Sequence, residues 1–150
     1  MSRLRLDEFL PYRLSIASNR VSSMVATTYQ AMFGLRIPEW RLVAVLAEGD
    51  GMTQHALCGR TRMDKVSVSR AAIALAERGL VERSPNPGDQ RSHLLRLSAE
   101  GRALYDQVAP KAIEIEARLL AAFEPGEIEQ LRVMLTRLED AAAQIEPDRG

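Results

Sequence analysis

Residues 64–101 read DKVSVSRAAIALAERGLVERSPNPGDQRSHLLRLSAEG, and the period of the apolar residues changes partway along. At about 100° per residue, the stretch from Lys65 to Arg78 gathers Val68, Ala71, Ala72 and Leu75 into one narrow arc of a helix. The opposite arc carries Val66, Ser67, Ser69, Arg70, Ile73 and Ala74. Asp64 is placed to cap this helix and Gly79 to end it. Leu80 to Ser84 is then a short β-like run, and Pro85 to Asp89 are all turn-formers. Ser92 to Ser98 returns as a second strand, with His93, Leu95 and Leu97 alternating against Leu94 and Arg96. The pattern predicts a β-hairpin with a long tip. Ser98 follows as a cap for the next helix, with Glu100 near that helix's positive end.

Immediately upstream, Thr53 is a good N-cap for a short helix over Gln54 to about Gly59, and Arg60, Thr61 and Arg62 make a brief polar break. Two helices so joined, the second presenting short polar, small and basic side chains, have the sequence form of a helix-turn-helix. Only such a face can approach the floor of a major groove.

Long helical stretches flank this centre. From Pro11 to about Phe33, the residues Leu14, Ala17, Val21, Met24, Val25, Thr28 and Met32 recur at spacings of three and four, and Gly34 supplies a stop. Pro38 suits the first turn of a second helix, whose stripe is Trp40, Val43, Ala44 and Leu46, and Asp50-Gly51 is a turn. Beyond Ser98, Pro110 is expected to kink or split the helix, although Ile115, Leu119 and Phe123 resume its period. Pro125 opens a last helix with a coiled-coil-like seam of Ile128, Leu131, Leu135, Leu138, Ala142 and Ile145. These flanks are too long and too apolar for the small centre to cover, which predicts a homodimer.

Composition narrows the function. The chain has 150 residues, 46% apolar and 27% charged, as globular domains do. One cysteine and two histidines exclude a disulfide framework and a Cys/His structural metal site within one chain, and no cofactor is expected. No signal-peptide core opens the sequence and no run of apolar residues reaches spanning length, so a soluble, cytoplasmic protein without membrane contact is expected. The net charge of zero hides an uneven distribution. Residues 54–102 carry nine basic side chains against five acidic ones, whereas residues 103–150 carry five basic and ten acidic. A basic centre beside an acidic tail suits a polyanion-binding module on a separate scaffold, or a solvated surface of uneven charge. No Gly-rich phosphate loop or nucleophile elbow occurs, and the pairs Glu114/Glu116 and Glu127/Glu129 are two apart on helices, so their carboxylates diverge. No catalytic residues and no enzyme are expected.

A helix-turn-helix followed at once by a β-hairpin is a winged helix, and one set between long dimerising helices resembles the MarR family of bacterial transcription regulators. The resemblance covers most of the chain. Its sharpest part is Glu77-Arg78-Gly79-Leu80-Val81-Glu82-Arg83, then Asp89-Gln90-Arg91, then Leu95-Arg96-Leu97-Ser98-Ala99-Glu100-Gly101, with Ser98 where the family usually has Thr. The fold it implies is mainly α with a small β-wing. Residues 1–35 would be an N-terminal dimerisation helix, 36–100 the winged helix-turn-helix and 101–150 C-terminal dimerisation helices.

The implied function is a sequence-specific repressor, cytoplasmic and associated with the bacterial nucleoid, acting as a homodimer on a pseudo-palindromic operator in double-stranded DNA. Ser67, Ser69 and Arg70 match family positions that reach bases or phosphates, and Lys65, Arg62 and Gln54 suit backbone contacts. Arg70 is either bidentate to guanine O6 and N7 or a solvated arginine near a phosphate. Arg91 lies just past the wing tip, from which its guanidinium can enter a narrow minor groove, with Asp89 holding it in a bidentate fork. The alternative is a surface salt bridge that only orders the hairpin.

Relatives also imply a small aromatic or anionic effector, for which Tyr12, Arg13, Arg20, Trp40 and Arg41 are the candidate lining, Trp40 being equally a core residue. Cys58, beside Leu57, reads as a small buried hydrophobe, since the reactive thiol of redox-sensing relatives sits in the first helix. His55 and His93 lie far apart in the sequence and form no metal pattern. A winged-helix docking module without specific DNA binding is the alternative function, and an accessory domain of an enzyme a third.

Overall fold

The computed structural model describes residues 3–145, so positions 1–2 and 146–150 of the two flanking segments lie outside the described residues. After a 3-10 turn over Leu6–Glu8 come α1 (Leu10–Phe33), α2 (Ile37–Leu46), α3 (Gln54–Thr61), α4 (Lys65–Glu77), β1 (Val81–Asn86), β2 (Asp89–Leu97), α5 (Ala99–Leu119) and α6 (Pro125–Ile145). The protein is mainly helical, with one small antiparallel wing.

Glycine ends α1 as expected. Gly34 takes the left-handed conformation at φ 63°, its N–H bonds the carbonyl of Gln30, and the chain turns to bury Leu35. In α2 the buried residues are Glu39, Leu42, Val43 and Leu46, so the inward stripe includes Leu42, which the periodicity missed, while Trp40 is half-buried. Helix α3 runs to Thr61, past the expected end at Gly59, with the Thr61 hydroxyl donating to the carbonyl of Leu57. Val68, Ala71, Ala72 and Leu75 of α4 are all buried, as the 3.6-residue period requires. With Leu57 and Leu95 they form the core of the winged helix.

The hairpin departs from the expected long tip. Its strands extend to Asn86 and Asp89, leaving only Pro87 and Gly88 between them. The turn-forming residues are absorbed because the Asn86 side chain works inside the hairpin: Oδ1 accepts the Gly88 N–H at 3.0 Å and Nδ2 donates to Ser92 Oγ at 3.0 Å. Pairing runs from Val81↔Leu97 to Pro85↔His93, then slips to Asn86↔Asp89, so Gln90, Arg91 and Ser92 form a bulge on β2. One further bridge joins the wing to the chain before α3. Met52 N–H donates to the Leu95 carbonyl at 2.9 Å and Leu95 N–H to the Met52 carbonyl at 2.8 Å.

Helix α5 passes through Pro110 without splitting, contrary to one of the two expected outcomes. Proline removes one interior hydrogen bond, and the helical residues on both sides carry the helix across it. Packing divides the chain between Lys111 and Ala112. In the first unit, Tyr29 is the buried residue of α1, while Leu14, Val21, Met24 and Met32 are exposed. In the second, Leu131, Leu135, Leu138 and Ile145 of α6 are exposed and Ile128 is half-buried. Among the described residues no helix is long and apolar enough to cross a membrane.

Candidate nucleic-acid interface

The helix-turn-helix is held at both starting points by side-chain caps. Thr53 Oγ1 accepts the Ala56 N–H at 3.1 Å at the head of α3. At the head of α4, Asp64 Oδ1 accepts the Ser67 N–H at 2.7 Å and Oδ2 accepts the Ser67 hydroxyl at 3.1 Å. These bonds from Ser67 hold the Asp64 carboxyl below the usual carboxylate range. They also engage the Ser67 hydroxyl, which in this state serves the cap. Lys65, Val66, Arg70 and Ile73 of α4 are exposed and Ser69 is half-buried, while Arg62 occupies the left-handed conformation at φ 58° where α3 ends.

At the wing the expected Asp89–Arg91 fork is not formed. Asp89 Oδ1 instead accepts the backbone N–H of Arg91 at 2.9 Å. That amide lies in the bulge, without a partner on β1, and a carboxylate two residues earlier satisfies it at shorter range than a mobile guanidinium. The Arg91 side chain lines a cleft of about 240 Å³ with Gln54 and His55 of α3, Arg83 of β1 and His93 of β2. The Met52–Leu95 bridge explains the meeting, since it pins the segment leading into α3 against β2. Gln54 and Arg91 are thus brought together, and they are joined by Arg83, His55 and His93, which the sequence does not mark as DNA contacts. No local pattern marks them, because a single bridge and a bulge make the neighbourhood.

A second cleft, of about 520 Å³, lies between the end of α1, the start of α2 and α4. It brings Ser67 and Arg70 beside Gln30, Arg36, Glu39 and Arg78. The Arg78 guanidinium donates to the carbonyls of Gly34 at 3.1 Å and Phe33 at 3.2 Å, so the residue capping α4 satisfies the last carbonyls of α1.

The proposed effector residues do not converge in either cleft. Tyr12 is half-buried on α1, whereas Arg13, Arg20 and Arg41 are exposed, and Arg13 donates to the Asp7 carbonyl at 3.1 Å. Trp40 lies between two tyrosines, edge-on to Tyr29 at 5.5 Å and stacked on Tyr105 at 6.0 Å. Burial pushes the Tyr29 hydroxyl above its ordinary pKa. Cys58 is half-buried on α3, and among the described residues no three His, Cys, Asp or Glu side chains gather as a metal site.

A model of the MarR family matches residues 33–92, from the last residue of α1 to the bulge in β2. The homoprotocatechuate degradative operon repressor of Escherichia coli is 31% identical over 97 residues, which span 65% of this chain and 66% of that one, just under two thirds of its length. Two crystal structures are similar over nearly the whole chain. A MarR/EmrR family transcriptional regulator from Acinetobacter sp. ADP1 aligns with a TM-score of 0.85 at 27% identity, covering 95% of this chain and 100% of that one. A probable transcriptional regulator from Pseudomonas aeruginosa aligns with a TM-score of 0.82 at 33% identity, covering 89% and 99%.

Proposed function

The chain belongs to the MarR family of transcriptional regulators, proteins that are not enzymes, and on that basis we propose that it represses transcription by binding a pseudo-palindromic DNA operator as a homodimer. Helix α4 enters the major groove, where Arg70 reads guanine, Ser69 reaches a base or phosphate, and Ser67 does so once its hydroxyl leaves Asp64. Lys65, Arg62 and Gln54 hold the backbone and set register. Arg91 serves the wing contact, with Asp89 shaping the backbone that presents it. The observation that carries this reading is that Gln54 and Arg91, from separate elements, line one cleft while Arg70 stands exposed on α4.

The second copy covers the exposed apolar faces of α1 and α6, so that residues 1–35 and 101–150 supply the dimer and residues 36–100 the winged module. A small aromatic or anionic effector acts through Tyr12, Arg13, Arg20, Trp40 and Arg41 by favouring a dimer with misspaced recognition helices. A relative named for the homoprotocatechuate degradative operon and the aromatic stack at Trp40 both suit such an effector. The protein works in the bacterial cytoplasm, on the nucleoid.

Fluorescence anisotropy on the intergenic DNA beside its own gene, with competitor DNA at near-physiological salt, tests the reading. Wild type is expected to bind at nanomolar concentration, and Arg91→Ala to weaken binding by about tenfold or more. Binding of both proteins only near micromolar, on this DNA and in a genome-wide selection, would replace the regulator with a docking module.

A further inference from the structure

The chain has two histidines, and the fold delivers both to the cleft at the base of the wing. His55 comes from the first turn of α3 and His93 from β2, and both are exposed beside the exposed guanidinium-bearing residues Arg83 and Arg91. Among the described residues no carboxylate lines the space. The acids on the surrounding elements are engaged or lie elsewhere. Asp89 accepts the Arg91 N–H. Glu82 neighbours Arg83 on β1, so the strand pleat sends it to the opposite face, where it pairs in register with Arg96. Glu48 forms an ion pair with Arg60 of α3, and Asp50, in the segment leading into α3, does not line the cleft.

We propose that this cleft is an oxyanion site that grips a backbone phosphate of double-stranded DNA through Arg83 and Arg91, with His55 and His93 joining when protonated, so that DNA is bound more tightly as pH falls. The inference rests on the DNA-binding reading above and adds to it a particular site and a proton linkage. A phosphate beside an imidazole favours its charged form. Binding DNA and taking up protons are therefore coupled across the range in which histidine ordinarily titrates. A single guanidinium contact to phosphate would give salt dependence without this pH dependence.

The test is anisotropy of the full chain on the same intergenic duplex at constant ionic strength, from about pH 8 to about pH 6. Affinity is expected to rise about tenfold, the factor equivalent to a one-unit difference in proton affinity between free and bound states. Each of His55→Gln and His93→Gln should flatten part of that dependence, and the double variant nearly all of it. A wild-type affinity that ignores pH, or a double variant that keeps the full dependence, overturns the proposal while leaving DNA binding intact. Absence of competitor-resistant binding at every pH removes the parent reading as well.

Two histidines also give two Cε1–H resonances per chain, which the single variants assign. Both are expected to move when the duplex is added, and to move further than with inorganic phosphate at matched ionic strength. Movement with inorganic phosphate and none with DNA assigns the cleft to a free oxyanion and overturns the DNA claim.

Discussion

Gly101 joins the winged helix to α5 at closer range than any side chain permits. A Cβ added there would stand 2.0 Å from the carbonyl oxygen of Leu80 and 3.0 Å from its carbon, and both are backbone atoms that cannot swing aside. The contact is secured by Ser98, whose hydroxyl donates to the Gly79 carbonyl at 2.6 Å and accepts the Gly101 N–H at 3.0 Å. In an isolated helix, alanine is favoured over glycine by up to about 1 kcal/mol. Here overpacking reverses the preference, and Gly101→Ala is expected to destabilise the protein by about 1–3 kcal/mol. Urea unfolding checks this, and an unchanged or raised midpoint at equal slope would show that the backbone yields. Ser67 illustrates the same dependence on surroundings. From sequence it is a candidate DNA contact, whereas in the folded chain its hydroxyl and N–H both serve the Asp64 cap.

At the level of elements, the wing owes its shape to a bulge that alternation alone does not contain. A strict period of two from Asp89 onward would place Asp89 and Arg91 side by side on one face, which is why a carboxylate–guanidinium fork is the expectation from sequence. The slip after Pro85↔His93 breaks that period, and the carboxylate caps the backbone instead. Asp89→Ala should therefore speed amide exchange at Arg91 with a stability change within about 0.5 kcal/mol, because the site is exposed. Its DNA affinity should fall less than that of Arg91→Ala. Equal losses in the two variants would instead support the fork as the bound-state arrangement. The Met52–Leu95 bridge acts at the same scale, coupling α3 to the wing through one residue pair. Such a strand is too short to leave a periodic trace.

For the molecule as a whole, the exposed apolar residues of α6 are where the proposed dimer is tested. Leu135 and Leu138 are 43% and 44% exposed, and Leu131 on the same seam 41%, an arrangement that a second copy is expected to cover. The double substitution Leu135→Glu with Leu138→Glu places charge where the proposed interface excludes water. Sedimentation equilibrium should show the wild type as a dimer and the variant as a monomer. Affinity for an operator with two half-sites should fall together with dimerisation, since one winged module reads only one half-site. A variant that remains dimeric would move the interface away from this seam.

Much of this was legible along the chain because it depends on neighbours within one turn or one hairpin. The caps at Thr53, Asp64 and Ser98, the stop at Gly34 and the buried arc of α4 follow from rules that act over three or four residues. The winged helix follows from their order. Leu42 among the buried residues, the short wing tip, and the unsplit helix through Pro110 do not follow, since each reflects contacts or continuity that outweigh local preference. The wing-base cleft is the clearest case. His55 and His93 carry no mutual signal in sequence, and they meet because the hydrogen bonds between Met52 and Leu95 close a long loop and bring α3 to β2. Periodicity reports which face of an element is apolar, but which faces meet is set by long-range pairing.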